Sequence, residues 1–148
     1  MNIIKIELLA IEDDGYHIFM EALINGQVAR MLIDTGASRT VFDAGRIRAF
    51  LPENSYKFEK IDKLSTGLGT NTMESHSVII EKFSLGETVF TGYLAVVLNM
   101  EHVNQSYRML GFPSIDGVIG GDLLVLLRAK VDYHKKTISW RESKSEHL

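Results

Sequence analysis

The chain has 148 residues, enough for one domain with its own core and short for two. Apolar residues make up 45% and charged residues 24%, and 16 basic against 19 acidic residues leave a net charge of −3. That balance carries no electrostatic footprint for nucleic acid and no basic amphipathic stretch for a membrane surface, and the lack of any cysteine excludes disulfides, thiolate nucleophiles and Cys-type zinc sites.

The N-terminal stretch is apolar but broken by Lys5 and Glu7, unlike a signal peptide, and no apolar run approaches transmembrane length. The expectation is a soluble, cytoplasmic protein. Residues 3–9 read as a first strand, followed by a turn at Glu12–Gly15. His17–Ile24 alternates, with Ile18, Met20, Ala22 and Ile24 on one face. Asn25-Gly26 then joins it to a second arm, Val28–Ile33. Asn-Gly between apolar runs is a hairpin signal, because both central positions of the tight turn need φ > 0. Thr40-Val41-Phe42 reads as a short strand. Asp43 is placed to cap a helix over Ala44–Leu51, which Pro52 would stop.

Lys60–Leu64 is short and mixed, and Ser65–Thr72 is a small-residue stretch suited to a hairpin tip. Ser77–Phe83 and Thr88–Leu98 are strands around a turn at Leu85-Gly86-Glu87. Asn99–Pro113 has no clear period and reads as irregular. Ile115–Gly121 is apolar and glycine-rich, and Asp122–Arg128 reads as a short helix. Lys130–Trp140 reads as strand, turn and strand. Residues 1–140 are thus expected to form one domain, with 141–148 as a polar, disordered tail.

Few residues are placed to carry chemistry. Ser38 lies in Gly-Ala-Ser-Arg-Thr, which lacks the second glycine of a nucleophile elbow. Gly67-Leu68-Gly69 is followed by neither a third fingerprint glycine nor a phosphate-binding lysine. The five histidines, at 17, 76, 102, 134 and 147, stand far apart and read as surface or loop residues. No metal or cofactor is expected. Most acids are surface charges. Asp34 differs, because Met31-Leu32-Ile33 leads into it as a buried strand and Thr35-Gly36 leaves it as a turn. A carboxylate inside the protein needs something to hold or use its charge. A turn-forming aspartate would explain Asp-x-Gly, but not the hydroxyl between them nor the Ala-Ser that follows.

Leu32-Ile33-Asp34-Thr35-Gly36-Ala37-Ser38 resembles the active-site signature of aspartic peptidases. Ile115-Asp116-Gly117-Val118-Ile119-Gly120-Gly121-Asp122-Leu123-Leu124 resembles their second motif. The order and separation are similar to the retropepsin-like branch, particularly its bacterial members, over nearly the whole chain. The resemblance implies an all-β, retropepsin-like closed barrel with one or two short helices, acting as an aspartic endopeptidase on polypeptide substrates.

Members of the family set two carboxylates across one water. This chain has a single Asp-Thr-Gly, so the resemblance implies a homodimer in which Asp34 meets its own copy on a two-fold axis. By the same resemblance, Thr35 would tie the two active-site loops together. Gly36 and Ala37 would lie against substrate, and Gly67, Leu68, Gly69 and Thr70 would lie at or near a flap over the peptide. Val118, Ile119 and Gly120 would be structural. Asp116 is expected to shape a turn before Gly117, and Asp122 to cap the helix. Viral members pair an arginine after the second-motif glycine with an acid after the triplet. Gly121 and Ser38 stand at those positions here, so both partners are gone together. The readings set against this one are a catalytically silent peptide-binding or dimerisation module on the same fold, and an unrelated barrel in which Asp34 is a turn residue.

Overall fold

A computed structural model describes residues 1–12, 15–53, 56–61 and 74–142. The stretch expected to be one first strand is two. β1 (Asn2–Lys5) and β2 (Glu7–Ala10) lie in different sheets. The break is Ile6, which turns its side chain into the core and donates its N–H to the Lys136 carbonyl. β3 (Tyr16–Ile24) and β4 (Gln27–Ile33) form the expected hairpin, with Asn25 and Gly26 at φ +49° and +82°. The Asn25 side chain also donates to the Phe50 carbonyl and accepts from the Lys82 N–H, so the turn is docked as well as tight.

β5 (Val41–Asp43) follows, then a single 3₁₀ turn at Ile47–Phe50 where an α-helix was expected. Asp43 does not cap it: the N-cap is Arg46, and Asp43 instead accepts the Arg46 N–H just ahead of the turn and, with its other oxygen, the Met100 N–H. The turn is held to the core by Ile47 and Leu51. β6 (Glu59–Lys60) pairs with β7 (Ser75–Leu85), and β7 pairs along its length with β8 (Thr88–Leu98).

Asn99–Pro113 is not irregular. It contains α1 (Glu101–Met109), whose first turn receives the Asn99 side-chain oxygen at the Glu101 N–H. A Glu101–Arg108 ion pair spans the helix. Only Asn104 and Tyr107 are buried, so the helix has no apolar stripe to announce it. It is anchored by a polar side chain: Asn104 accepts from the Ile115 N–H and donates to the Ile115 carbonyl.

β9 (Gly117–Ile119), α2 (Gly121–Leu127), β10 (Lys130–Asp132) and β11 (Thr137–Trp140) complete the described chain. The strands β3-β4-β9-β5-β8-β7 run in order, and a further β3–β7 pairing closes them into a six-stranded barrel. β1, β11 and β10 form a separate small sheet. The faces expected to turn inward do so: Ile18, Met20, Ala22 and Ile24 from β3 meet Ala29, Met31 and Ile33 from β4 in the barrel core. A second cluster of Phe19, Met100, Tyr107, Ile115 and Val118 lies under α1. At Ile18–Met20 β3 is therefore buried on both faces. No helix among the described residues is long and apolar enough to cross a membrane.

Candidate active site

The two motifs meet in one sheet. β9 runs parallel to β4, with Leu32 opposite Val118 and Ile33 opposite Ile119, and antiparallel to β5. The chain thus leaves the barrel at Ile33, turns through Asp34–Thr40 and returns as β5, with the second motif lying between the two arms. Asp34 is fixed at the lip of this turn. Its N–H donates to the Ile119 carbonyl at 3.0 Å, and its Oδ1 accepts the Gly36 N–H at 2.9 Å. Asp34, Thr35 and Gly36 are exposed. This corrects the expectation that Asp34 lies inside the chain. The apolar run ends at Ile33, and the backbone turns outward at the next residue.

Behind the lip the frame is dense. The Gly121 and Asp122 N–H groups, the first of α2, donate to the Ala37 and Ser38 carbonyls at 2.7 and 3.1 Å. Thr40 is buried. Its N–H and its hydroxyl both donate to Asp122 Oδ1 at 2.8 Å, and its hydroxyl accepts the Gly120 N–H at 3.0 Å. Asp122 does accept a helix N–H, that of Leu123, but its larger task is to bind the returning arm. Ser38 and Gly121 are thus tied by backbone hydrogen bonds, each to the neighbour of the other.

Asp116 is more than a turn residue. It is buried, accepts the Arg30 N–H at 2.8 Å and pairs with Arg46 Nε at 2.7 Å. Its backbone bonds Arg30 and Asp43, so one residue ties β4, β5 and β9 together. Neither Asp116 nor Asp122 hydrogen-bonds Asp34. Gly67, Leu68, Gly69 and Thr70 lie outside the described residues.

A cavity of about 250 Å³ opens beside Asp34, lined by Tyr16, His17, Ile18, Leu32, Ile33, Asp34, Thr35 and Tyr133. His17 Nδ1 is 2.9 Å from the Tyr107 hydroxyl, and the two rings meet edge to face. Burial pushes the Tyr107 phenol above its ordinary value, the Arg30 charge opposes that shift and the Asp34 charge reinforces it. Sequence reasoning missed both residues. His17 is exposed, as expected of a surface histidine, but nothing in the sequence placed it beside Asp34, and Tyr107 sits on the helix whose polar composition hid it. Among the described residues no group of three or more His, Asp or Glu side chains is placed to hold a metal.

A sequence model of the family described as aspartyl protease matches residues 20–123, about seven-tenths of the chain and both motifs. The chain belongs to the aspartyl protease family. Its fold is that of a retropepsin-like aspartic protease from Rickettsia conorii, at a TM-score of 0.50 and 16% identity, over 93% of this chain and 85% of that one. It is similarly close to the retroviral protease-like domain of Ddi1 from Leishmania major, at a TM-score of 0.54 and 12% identity, over 84% and 88%. No curated protein sequence matches at a significant level. The aspartyl protease fold accounts for the shape of the frame: the second motif threads between the arms of the Asp-Thr-Gly turn and holds them from behind.

Proposed function

We propose that the chain is an aspartic endopeptidase that works as a homodimer, with Asp34 as its catalytic residue. The observation that carries this reading is the presentation of Asp34. Its backbone and Oδ1 are fixed by hydrogen bonds, the carboxylate is exposed, and among the described residues no cation pairs with it. A turn-forming aspartate needs only the Gly36 bond. The frame behind it is far more elaborate than such a turn requires.

Brought together on a two-fold axis, two Asp34 carboxylates would hold one water between them. Like charges at that distance cannot both ionise easily, so the pair shares a proton and titrates as a unit. The ionised member takes a proton from the water as it attacks the peptide carbonyl, and the protonated member supplies a hydrogen bond to the carbonyl oxygen. Thr35 is exposed and its hydroxyl makes no hydrogen bond among the described residues, which suits a partner across the axis. A Cβ at Gly36 would stand 3.3 Å from Asp34 Oδ1, so glycine keeps the carboxylate uncrowded. The test is cleavage of a peptide library from acidic to neutral pH. Hydrolysis that Asp34→Asn abolishes is expected. Full hydrolysis by that variant would end the reading, and no hydrolysis by the dimeric wild type would favour a silent peptide-binding module.

A further inference from the structure

We propose that His17 is a specificity residue of this site: its free ring nitrogen donates a hydrogen bond to a carboxamide side chain, Asn or Gln, beside the scissile bond. The proposal rests on the peptidase reading above for the path of the substrate.

Tyr107 is 4% exposed, so water has little access to its phenol. Burial and the Asp34 charge both favour the protonated phenol, with Arg30 opposing. Among the described residues its hydroxyl has one possible acceptor, His17 Nδ1 at 2.9 Å. The phenol therefore donates to Nδ1, and a neutral imidazole must then carry its own proton on Nε2. His17 is exposed, and its ring is held from one side: it meets Tyr107 at 83° and a centroid distance of 5.9 Å, and Tyr107 in turn packs on Phe19. Asn104 holds the helix that carries Tyr107. Nε2–H has no protein partner among the described residues, and His17 lines the cavity that Asp34 and Thr35 also line. The outcome is a positioned donor at the wall of a cavity next to the candidate catalytic carboxylate.

The chemistry of the cavity selects the acceptor. The shared-proton carboxylate pair keeps one negative charge, which repels an acidic side chain. An apolar side chain of the same shape forgoes the hydrogen bond. A carboxamide accepts from Nε2–H without bringing charge, and its stem can lie against Tyr16 and Tyr133, which are 66% and 60% exposed at the rim. Tyr107 acts through His17 and is a positioning residue.

The test uses the full chain carrying Asp34→Asn, so that peptides bind without being cut. Short extended peptides that differ at single positions, Asn against Leu and Gln against Met, are compared by fluorescence polarisation. At one position the carboxamide peptide should bind about five- to tenfold more tightly. His17→Leu should erase that ratio, and Tyr107→Phe should reduce it by freeing the tautomer. Imidazole ¹⁵N shifts of the unliganded protein should show His17 protonated on Nε2, and Tyr107→Phe should mix the tautomers, which loss of packing alone would not do. A ratio unchanged by His17→Leu, a wild-type ring protonated on Nδ1, or no binding by any peptide would overturn the proposal. So would a His17→Leu variant that changes only the association of copies. Carboxamide-selective binding in a wild type that hydrolyses nothing would count against the peptidase reading and leave the His17 assignment standing.

Discussion

Gly120 and Gly121 are neighbours in sequence, yet replacing each by alanine should move stability in opposite directions. Gly120 has φ −104° and ψ −174°, extended backbone that any residue adopts, so conformational freedom is not what it supplies. It supplies space. A Cβ there would stand 2.5 Å from both the carbon and oxygen of the Arg39 carbonyl and 2.9 Å from the Ala37 oxygen. These are backbone atoms of the returning arm, which the Gly121, Asp122 and Thr40 hydrogen bonds hold from several sides. Moving them by about 1 Å costs overpacking at the upper end of the usual range and weakens at least one of those bonds, together about 3 kcal/mol. For a chain of this size that is a fall in Tm of roughly 6–12 °C.

At Gly121 the same Cβ would lie 3.5 and 3.8 Å from the Ala37 and Ser38 oxygens, ordinary contact, at the first residue of α2. Alanine restricts the unfolded chain there and should stabilise by about 0.5 kcal/mol. Urea unfolding of the wild type and the two variants, followed by circular dichroism, checks both signs. A Gly120→Ala protein within about 1 kcal/mol of wild type, or a Gly121→Ala protein as weak as Gly120→Ala, would refute the account of the second motif as a spacer behind Asp34.

Three further outcomes follow from the same geometry. If both carboxylates of a pair are needed, adding Asp34→Asn chains to wild type should inhibit peptide cleavage beyond simple dilution, because mixed pairs are silent; activity proportional to wild-type chains alone would exclude a shared site. Asp116→Ala should cost about 2 kcal/mol in urea unfolding. Arg46, with 46% of its side chain exposed, can return its charge to water, which leaves the Arg30 N–H as the main unsatisfied group. Tyr93 and Tyr107 both have phenols raised above the ordinary value, chiefly by burial. Their contribution is complete below the unfolded phenol value of about 10 and is lost as pH rises above it. Denaturant midpoints measured through that alkaline range should fall less steeply in Tyr93→Phe and Tyr107→Phe.

The barrel was legible where alternation and turn chemistry agreed. Alternation from Ile18 to Ile24, the Asn25-Gly26 turn and the apolar approach to Asp34 each depend on local rules that tertiary structure did not override. The family was legible for the same reason, since Asp-Thr-Gly and the glycine-rich second motif keep their order in the chain and the family model spans residues 20–123. Three things were hidden. Asp34 was expected inside the molecule, because an apolar run shows that a strand is buried but not which residue first leaves the core. α1 was read as irregular because its anchors are Asn104 and Tyr107, a polar contact and an amphipathic ring, which give no apolar stripe. Asp116 pairs with Arg46 and accepts the backbone N–H of Arg30, and no local pattern marks a carboxylate whose partners are that far away in sequence.

The division between frame and lip leads to one more separable outcome. Thr40, Gly120 and Asp122 hold the Asp34 turn within one chain, whereas Asp34 and Thr35 are exposed. Damage to the frame misplaces the carboxylate in every copy, so adding protein cannot repair it. If two copies meet at the lip, loss of a contact such as that of Thr35 weakens only their meeting, and mass action can restore that. Specific activity is therefore expected to rise with concentration for the wild type and to plateau. A Thr35→Val variant should need more protein to reach its plateau. An Asp122→Ala variant should plateau low at any concentration, because it has lost the acceptor for two Thr40 bonds. Sedimentation velocity and peptide cleavage on the same dilution series would test this. A specific activity that stays constant while sedimentation shows the wild type passing from dimer to monomer would mean that one Asp34 suffices, and the requirement for a second copy would fall.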